Sequence, residues 1–162
     1  MNLIFCIILK QSKMPHCNCK IFNTDFEFQH EQRSIVICKD KGKNQYIYEN
    51  QGKDFLSKYR IDDGLIADDG AKCDFLLLNC NKQHAYFIEL KGSDIIHAIE
   101  QIDRSIDILK PQLADSKIFA RIVLTRVNTN ELKNPKYLRL EKKVKSQNGN
   151  LKQQSRELKE GV

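Results

Sequence analysis

The stretch KCDFLLLNCNKQHAYFIELKGSDIIHAIEQIDRSIDILK, from Lys72 to Lys110, decides the fold. Two apolar runs, Phe75 to Leu78 and Ala85 to Ile88, flank the turn-rich segment Asn79 to His84 and read as two strands of a hairpin, Lys72 to Asn79 and Ala85 to Lys91. After Gly92 the period changes from two to 3.6. Ile95, Ile99, Ile102, Ile106 and Leu109 recur at helical spacing, Ser93 suits the N-cap and Pro111 sets the end. Strand, strand, helix is therefore the centre of the chain.

Working outward, Arg33 to Cys38 and Gln45 to Glu49 are β-branched and aromatic runs around a turn containing Gly42, and read as a second hairpin. Asp54 to Tyr59 reads as a short helix or a connection, and Tyr59 to Ala67 as a strand. Ile118 to Thr125 reads as a buried strand, Pro135 to Gln147 as a helix, and the residues after Asn148-Gly149 as a polar tail. Strands with helices packed on them predict an α/β (α+β) domain around a central mixed sheet.

The 162 residues suit one domain: an N-terminal extension over 1–30, a core over 31–130, and a basic helix and tail over 131–162. With 41% hydrophobic and 30% charged residues, 7 Gly and 3 Pro, collagen-like and disordered chains are excluded. The net charge is +6, and residues 131–162 carry nine basic against four acidic side chains. Such a segment suits phosphates, or else is a solvated helix face. The apolar run Leu3 to Leu9 lacks the flanks of a signal peptide and is too short to span a bilayer, so the six cysteines read as reduced thiols of a cytoplasmic protein without a membrane partner. Met14 is an alternative start, and His16, Cys17 and Cys19 lack the paired spacing of a zinc site.

Chemistry concentrates in the first hairpin. Residues two apart on a strand share a face, so Glu89 and Lys91 project together. A turn centred near residues 81 and 82 sets Asp74 opposite Glu89. Directly opposed Cβ atoms lie about 5 Å apart, so the two carboxylates would converge on one ion with an ammonium alongside. Mg²⁺ takes oxygen ligands and keeps several waters, and it can activate a water against a phosphodiester. An acid, any residue, then Lys occurs five times in the chain, at Glu89, Asp115, Glu131, Glu141 and Glu157. Only at Glu89 does it sit in an apolar strand with a second acid in the strand before it. A Glu89 to Lys91 ion pair on an exposed sheet face is the plain structural alternative.

An acid in one strand, a hairpin, Glu-x-Lys at the end of the next and an immediate helix resemble the PD-(D/E)xK phosphodiesterase superfamily of restriction endonucleases and Holliday-junction resolvases. The resemblance covers roughly residues 60–125, with Cys73 where the motif often has Pro. It implies a restriction-endonuclease-like αβββαβ core and a Mg²⁺- or Mn²⁺-dependent endonuclease. Asp74, Glu89 and Lys91 would be catalytic, with Asp74, Glu89 and Leu90 at the metal. The implied partner is nucleic acid, DNA ahead of RNA, with a homodimer or larger complex compatible.

Further candidates surround this set. Glu49 and Asp54 are candidates for an acid on the poorly defined first helix, and the Asp62-Asp63-Gly64 turn for a further acid at the site. Gln101, Arg104 and His97 share a helix face, and with Lys142 and Lys143 form the expected nucleic-acid surface. Tyr46, Tyr48, Tyr59 and Phe55 suit base stacking or, more simply, the core. The rival functions are a non-catalytic nucleic-acid-binding subunit and a protein-interaction subunit that docks an acidic partner.

Overall fold

The computed structural model describes residues 20–113 and 115–161. The N-terminal readings, including the start at Met14 and the cluster His16, Cys17 and Cys19, lie outside these residues. Among the described residues nine strands and two α-helices form three layers, in an α+β architecture dominated by strands. The strands are β1 (Phe26–Glu31), β2 (Ile35–Lys39), β3 (Gln45–Glu49), β4 (Leu56–Arg60), β5 (Phe75–Asn79), β6 (His84–Lys91), β7 (Lys117–Leu124), β8 (Leu151–Ser155) and β9 (Glu157–Gly161). The helices are α1 (Ile95–Leu109) and α2 (Pro135–Lys145).

The middle layer is a mixed six-stranded sheet in the order β1-β4-β5-β6-β7-β8. β1, β4, β5 and β6 pair antiparallel; β7 and β8 then join parallel to β6, each reached through a helix. Burial on both faces explains the unbroken apolar runs: Phe75, Leu76, Leu77 and Leu78 are all buried. Leu76, Leu78, Ala85 and Phe87 face α1 and α2, while Phe75, Leu77, Tyr86 and Ile88 face the other way. There they meet Val36, Cys38, Tyr46, Tyr48 and Leu158 of a three-stranded sheet, β2-β3-β9.

The helices follow from their spacing. Ile95, Ile99, Ile102, Ile106 and Leu109, at spacings of three or four, bury one stripe of α1 together with Ala98. Its cap is Asp94, whose Oδ1 accepts from the His97 N–H at 2.9 Å, rather than Ser93. α2 starts at Pro135 behind the Asn134 cap and buries Tyr137, Leu140 and Val144. Beyond it Gly149 passes so close to β7 that a Cβ there would lie 1.7 Å from the Ile118 carbonyl oxygen. Only glycine fits.

Several expectations need correction. The hairpin of β2 and β3, the β5–β6 hairpin, α1, β7 and α2 stand where the sequence puts them. Asp54 to Tyr59 is largely strand β4, which is buried on both faces and so shows no alternation. Tyr59 to Ala67 is mostly a turn, closed by N–H donation from Leu65 to Arg60 and from Ile66 to Ile61. No α-helix precedes the antiparallel strands among the described residues; β1, in the segment read as an extension, occupies the sheet edge. The polar tail is β8 and β9, each of which finds a parallel partner already in place. Cys38 and Cys73 are buried free thiols, whereas Cys80 is disulfide-bonded, so a reading of every cysteine as reduced does not hold. Among the described residues no helix is long and apolar enough to cross a membrane.

Candidate functional site

The β5–β6 register places Asn79 opposite His84 and Phe75 opposite Ile88, so the turn centres between residues 81 and 82, and the same register carried one residue further would set Asp74 opposite Glu89. Asp74 lies one residue before β5, where the ladder is irregular. Its N–H donates to the Ile88 carbonyl at 3.1 Å and its carbonyl accepts from the Ile61 N–H at 2.9 Å. The carboxylate replaces a ladder acceptor: Oδ2 takes the Leu90 N–H at 2.7 Å. One oxygen of Asp74 is thus fixed by backbone, which holds the side chain against β6.

Glu89 is 1% exposed near the end of β6. Its Oε1 is 3.7 Å from the Lys91 ammonium, and its Oε2 is buried with no hydrogen-bond partner. A buried carboxylate oxygen left unsatisfied is costly unless something charged meets it. Burial, and then the Asp74 carboxylate, push the Glu89 carboxyl up to about 8 from an ordinary 4.5, against the opposing pull of Lys91. Burial likewise raises Asp74 to about 6 from 3.8; the Leu90 N–H opposes this, while Asp40 and Asp62 add to it. The pair prefers to hold a proton when no cation is present.

The segment leading into Asp74 is clamped by α1. Arg104 donates to the Ala71 carbonyl at 3.0 Å and to Asp68 Oδ2 at 2.8 Å, its guanidinium filling the space a Cβ on Gly70 would need. Gln101 Nε2 donates to the Lys72 carbonyl at 2.8 Å, and Ser105 Oγ accepts from the Cys73 N–H at 2.9 Å. Gln101 and Arg104, expected at nucleic acid, therefore position the strand that carries Asp74. Gln101 Oε1 remains buried without a partner. His97 is exposed on this side and reaches Glu100 at 3.9 Å.

Asp62 stands at the edge of this set. Its Oδ1 lies 3.5 Å from the Lys72 ammonium, and with His97 and Gln101 these residues line an open cleft of about 380 Å³. Glu49 and Asp54 are not brought to the site. Glu49 pairs with Lys159 at 2.8 Å on the three-stranded sheet, and Asp54 accepts from Asn79 at 2.8 Å at the opposite end of β5. Tyr46, Tyr48 and Tyr59 are core residues, and Phe55 stacks on His30 at 4.1 Å. The basic helix is largely neutralised by α1: Lys143 reaches Asp103 and Asp107 at 2.6 Å each, Arg139 reaches Asp103 at 3.5 Å, and Lys136 meets Glu100. Lys142 is exposed without an ion pair among the described residues.

Two contributors carried no readable signal. Ser105 is one polar position inside the buried stripe of α1, a pattern that invites notice without stating its partner. Asn44, buried before β3, donates from Nδ2 to the Lys91 carbonyl at 2.5 Å and so ties the β2–β3 loop to the end of β6. Nothing local distinguishes it from a turn asparagine.

Among the described residues no cluster of three or more His, Cys, Asp or Glu side chains is placed to hold a metal. Two carboxylates with one unsatisfied oxygen still fit a hard divalent cation that completes its shell with waters and a backbone carbonyl such as that of Leu90. They do not fit zinc, which wants three or four nitrogen or sulfur donors. Compared with family models, with curated proteins and with solved structures, the chain has no significant match to any.

Proposed function

We infer that the protein is a metal-dependent nuclease that hydrolyses phosphodiester bonds in nucleic acid, DNA foremost. The observation that carries this reading is the Asp74–Glu89 pair, two buried carboxyls of raised pKa with Glu89 Oε2 unsatisfied and Lys91 alongside. Purely structural acids in a sheet are paired out; this pair is left poised.

Asp74 and Glu89 would hold Mg²⁺ or Mn²⁺, assisted by the Leu90 carbonyl, and the ion would supply Lewis acidity to phosphate and a more acidic bound water. The residues themselves do the rest. Asp74, fixed through Leu90, presents its second oxygen without loss of rotamer freedom. Lys91, 29% exposed and held near Glu89, is placed to take a water's proton or to neutralise charge developing on phosphate. Taking up a cation requires Glu89 to release its proton, so affinity rises with pH through about 8.

The test is conversion of supercoiled plasmid to nicked or linear DNA by the purified chain, with Mg²⁺, with Mn²⁺ and with EDTA. Cleavage in either metal, abolished by EDTA and by Asp74→Asn, supports the reading. Activity of Asp74→Asn at the wild-type rate would overturn it, and plasmid binding without cleavage would leave the non-catalytic subunit in its place.

A further inference from the structure

We propose that nucleic acid is gripped at the end of the sheet beside Lys91, by Lys41 and Lys43 of the β2–β3 loop together with Arg126 and Arg156, and not along the basic helix α2. This rests on the phosphodiesterase reading of Asp74 and Glu89. The argument begins with which cations are already engaged. On α2, Lys136, Arg139, Lys143 and Lys145 each pair with an acid of this chain, as do Lys152 and Lys159 further on. Lys41, Lys43, Arg126 and Arg156 are exposed and make no ion pair among the described residues. A phosphate contact gains most from cations with no competing carboxylate and no desolvation to undo.

Their placement is fixed by backbone. The β2–β3 loop is tied down by Asn44, which reaches the Lys91 carbonyl at 2.5 Å and the Val123 carbonyl and Thr125 Oγ1 at 3.4 Å each. Arg126 follows β7 directly, after Thr125 has donated its N–H to the Gly92 carbonyl at 2.5 Å. Arg156 joins β8 to β9 in a left-handed conformation, donating its N–H to the Leu124 carbonyl at 2.7 Å and accepting from the Gln45 N–H at 2.9 Å. All four thus lie about the ends of β6 and β7, beside Lys91 and the buried Glu89. Acids also stand at this end: Asp40, Glu157, which Gln45 engages, Asp94 at the cap of α1, and Asp62 beside the Asp74–Glu89 pair. In contrast, the pairing of Glu100 with Lys136 and of Asp107 with Lys143 aligns α1 and α2 in parallel, so Lys142 and Lys143 lie toward the end remote from Lys91.

The loop tip offers a gain-of-function handle. A Cβ on Gly42 meets nothing within 4 Å, and its backbone is not in the left-handed region. Gly42→Lys and Gly42→Glu therefore add opposite charges at one point without a clash.

The experiment measures anisotropy of a fluorescein-labelled DNA duplex with the full chain in EDTA, across a salt series. Circular dichroism confirms that each variant is folded. Changing Lys41, Lys43, Arg126 and Arg156 to Gln should weaken binding and flatten the plot of log affinity against log salt by about one unit per lost phosphate contact. Gly42→Lys should tighten binding and Gly42→Glu weaken it, while Arg139→Gln with Lys142→Gln should leave the slope as in wild type. A wild-type slope in the fourfold variant, or its loss in the α2 pair, would overturn the proposal while leaving metal-dependent cleavage intact. If instead the rim variants lose binding and the wild type never cuts, the surface stands and the nuclease reading falls. Failure of the wild type to bind duplex at all would overturn this surface outright.

Discussion

Replacing Glu89 with Gln should make the protein more stable and inactive at once. The folded state holds the Glu89 carboxyl at about 8, against an ordinary 4.5, so it binds a proton that the unfolded chain has released. A carboxyl shifted in that direction favours folding below 4.5 and penalises it progressively as pH rises toward about 8. At about 1.4 kcal/mol per pH unit, the span from 4.5 to about 8 sets a ceiling of about 5 kcal/mol on the penalty. Glutamine keeps an unpartnered polar atom where Oε2 stands and weakens the contact with Lys91, which returns about 1–3 kcal/mol. The net gain is about 2 kcal/mol at about pH 9, or a rise of about 4–8 °C in Tm for a domain of this size. By about pH 5 the penalty on wild type is nearly gone, and Glu89→Gln should be no more stable than wild type. Thermal unfolding in EDTA, followed by circular dichroism across that range, measures it directly. Mg²⁺ or Mn²⁺ should then raise the Tm of the wild type and not of Glu89→Gln, because a ligand stabilises only the state that binds it. A wild-type Tm that does not fall between about pH 5 and 9, or a Glu89→Gln protein less stable than wild type at about pH 9, would refute the reasoning.

Lys91→Ala should cut plasmid cleavage by about 10² to 10⁴-fold while duplex binding persists, as measured by single-turnover rates at saturating enzyme. Arg121→Ala should cost about 3–5 kcal/mol in urea unfolding, since it removes a buried guanidinium of β7 and leaves the partly buried Glu160 short of its main partner.

How much was legible follows from where the signals are local. The β5–β6 turn carries its own punctuation between two apolar runs, so the hairpin and its centre, and with them the nearness of Asp74 to Glu89, could be read from the chain. α1 was equally plain, because five apolar residues recur at helical spacing over fifteen positions. β4 was hidden because the polar Ser57 and Lys58 are buried with Leu56 and Tyr59, so neither an alternation nor an apolar run marks it. β8 and β9 were hidden for a different reason: LKQQS and ELKEG are nearly all polar and are strands only because β7 and β3 offer them edges. At the site, the two acids and Lys91 were visible as chemistry in an apolar run. The duties of Gln101, Arg104 and Ser105 were not, since each bonds to a loop some thirty residues away.

The pairing of β9 with β3 has a temporal consequence. Gln45 and Glu157, its first partners, stand 112 residues apart, and the strands run parallel, so no turn brings them together. On a ribosome the β2–β3 hairpin is made early and shows Val36, Cys38, Tyr46 and Tyr48 on one side long before Leu158 arrives to help enclose them. Contacts of such long range form slowly, and an apolar hairpin waiting for them is a sticky species. The loop that borders Lys91 is thus held in its final place only once β9 has been made, and a nascent chain stalled before Glu157 has its acids and its lysine but not the finished wall beside them.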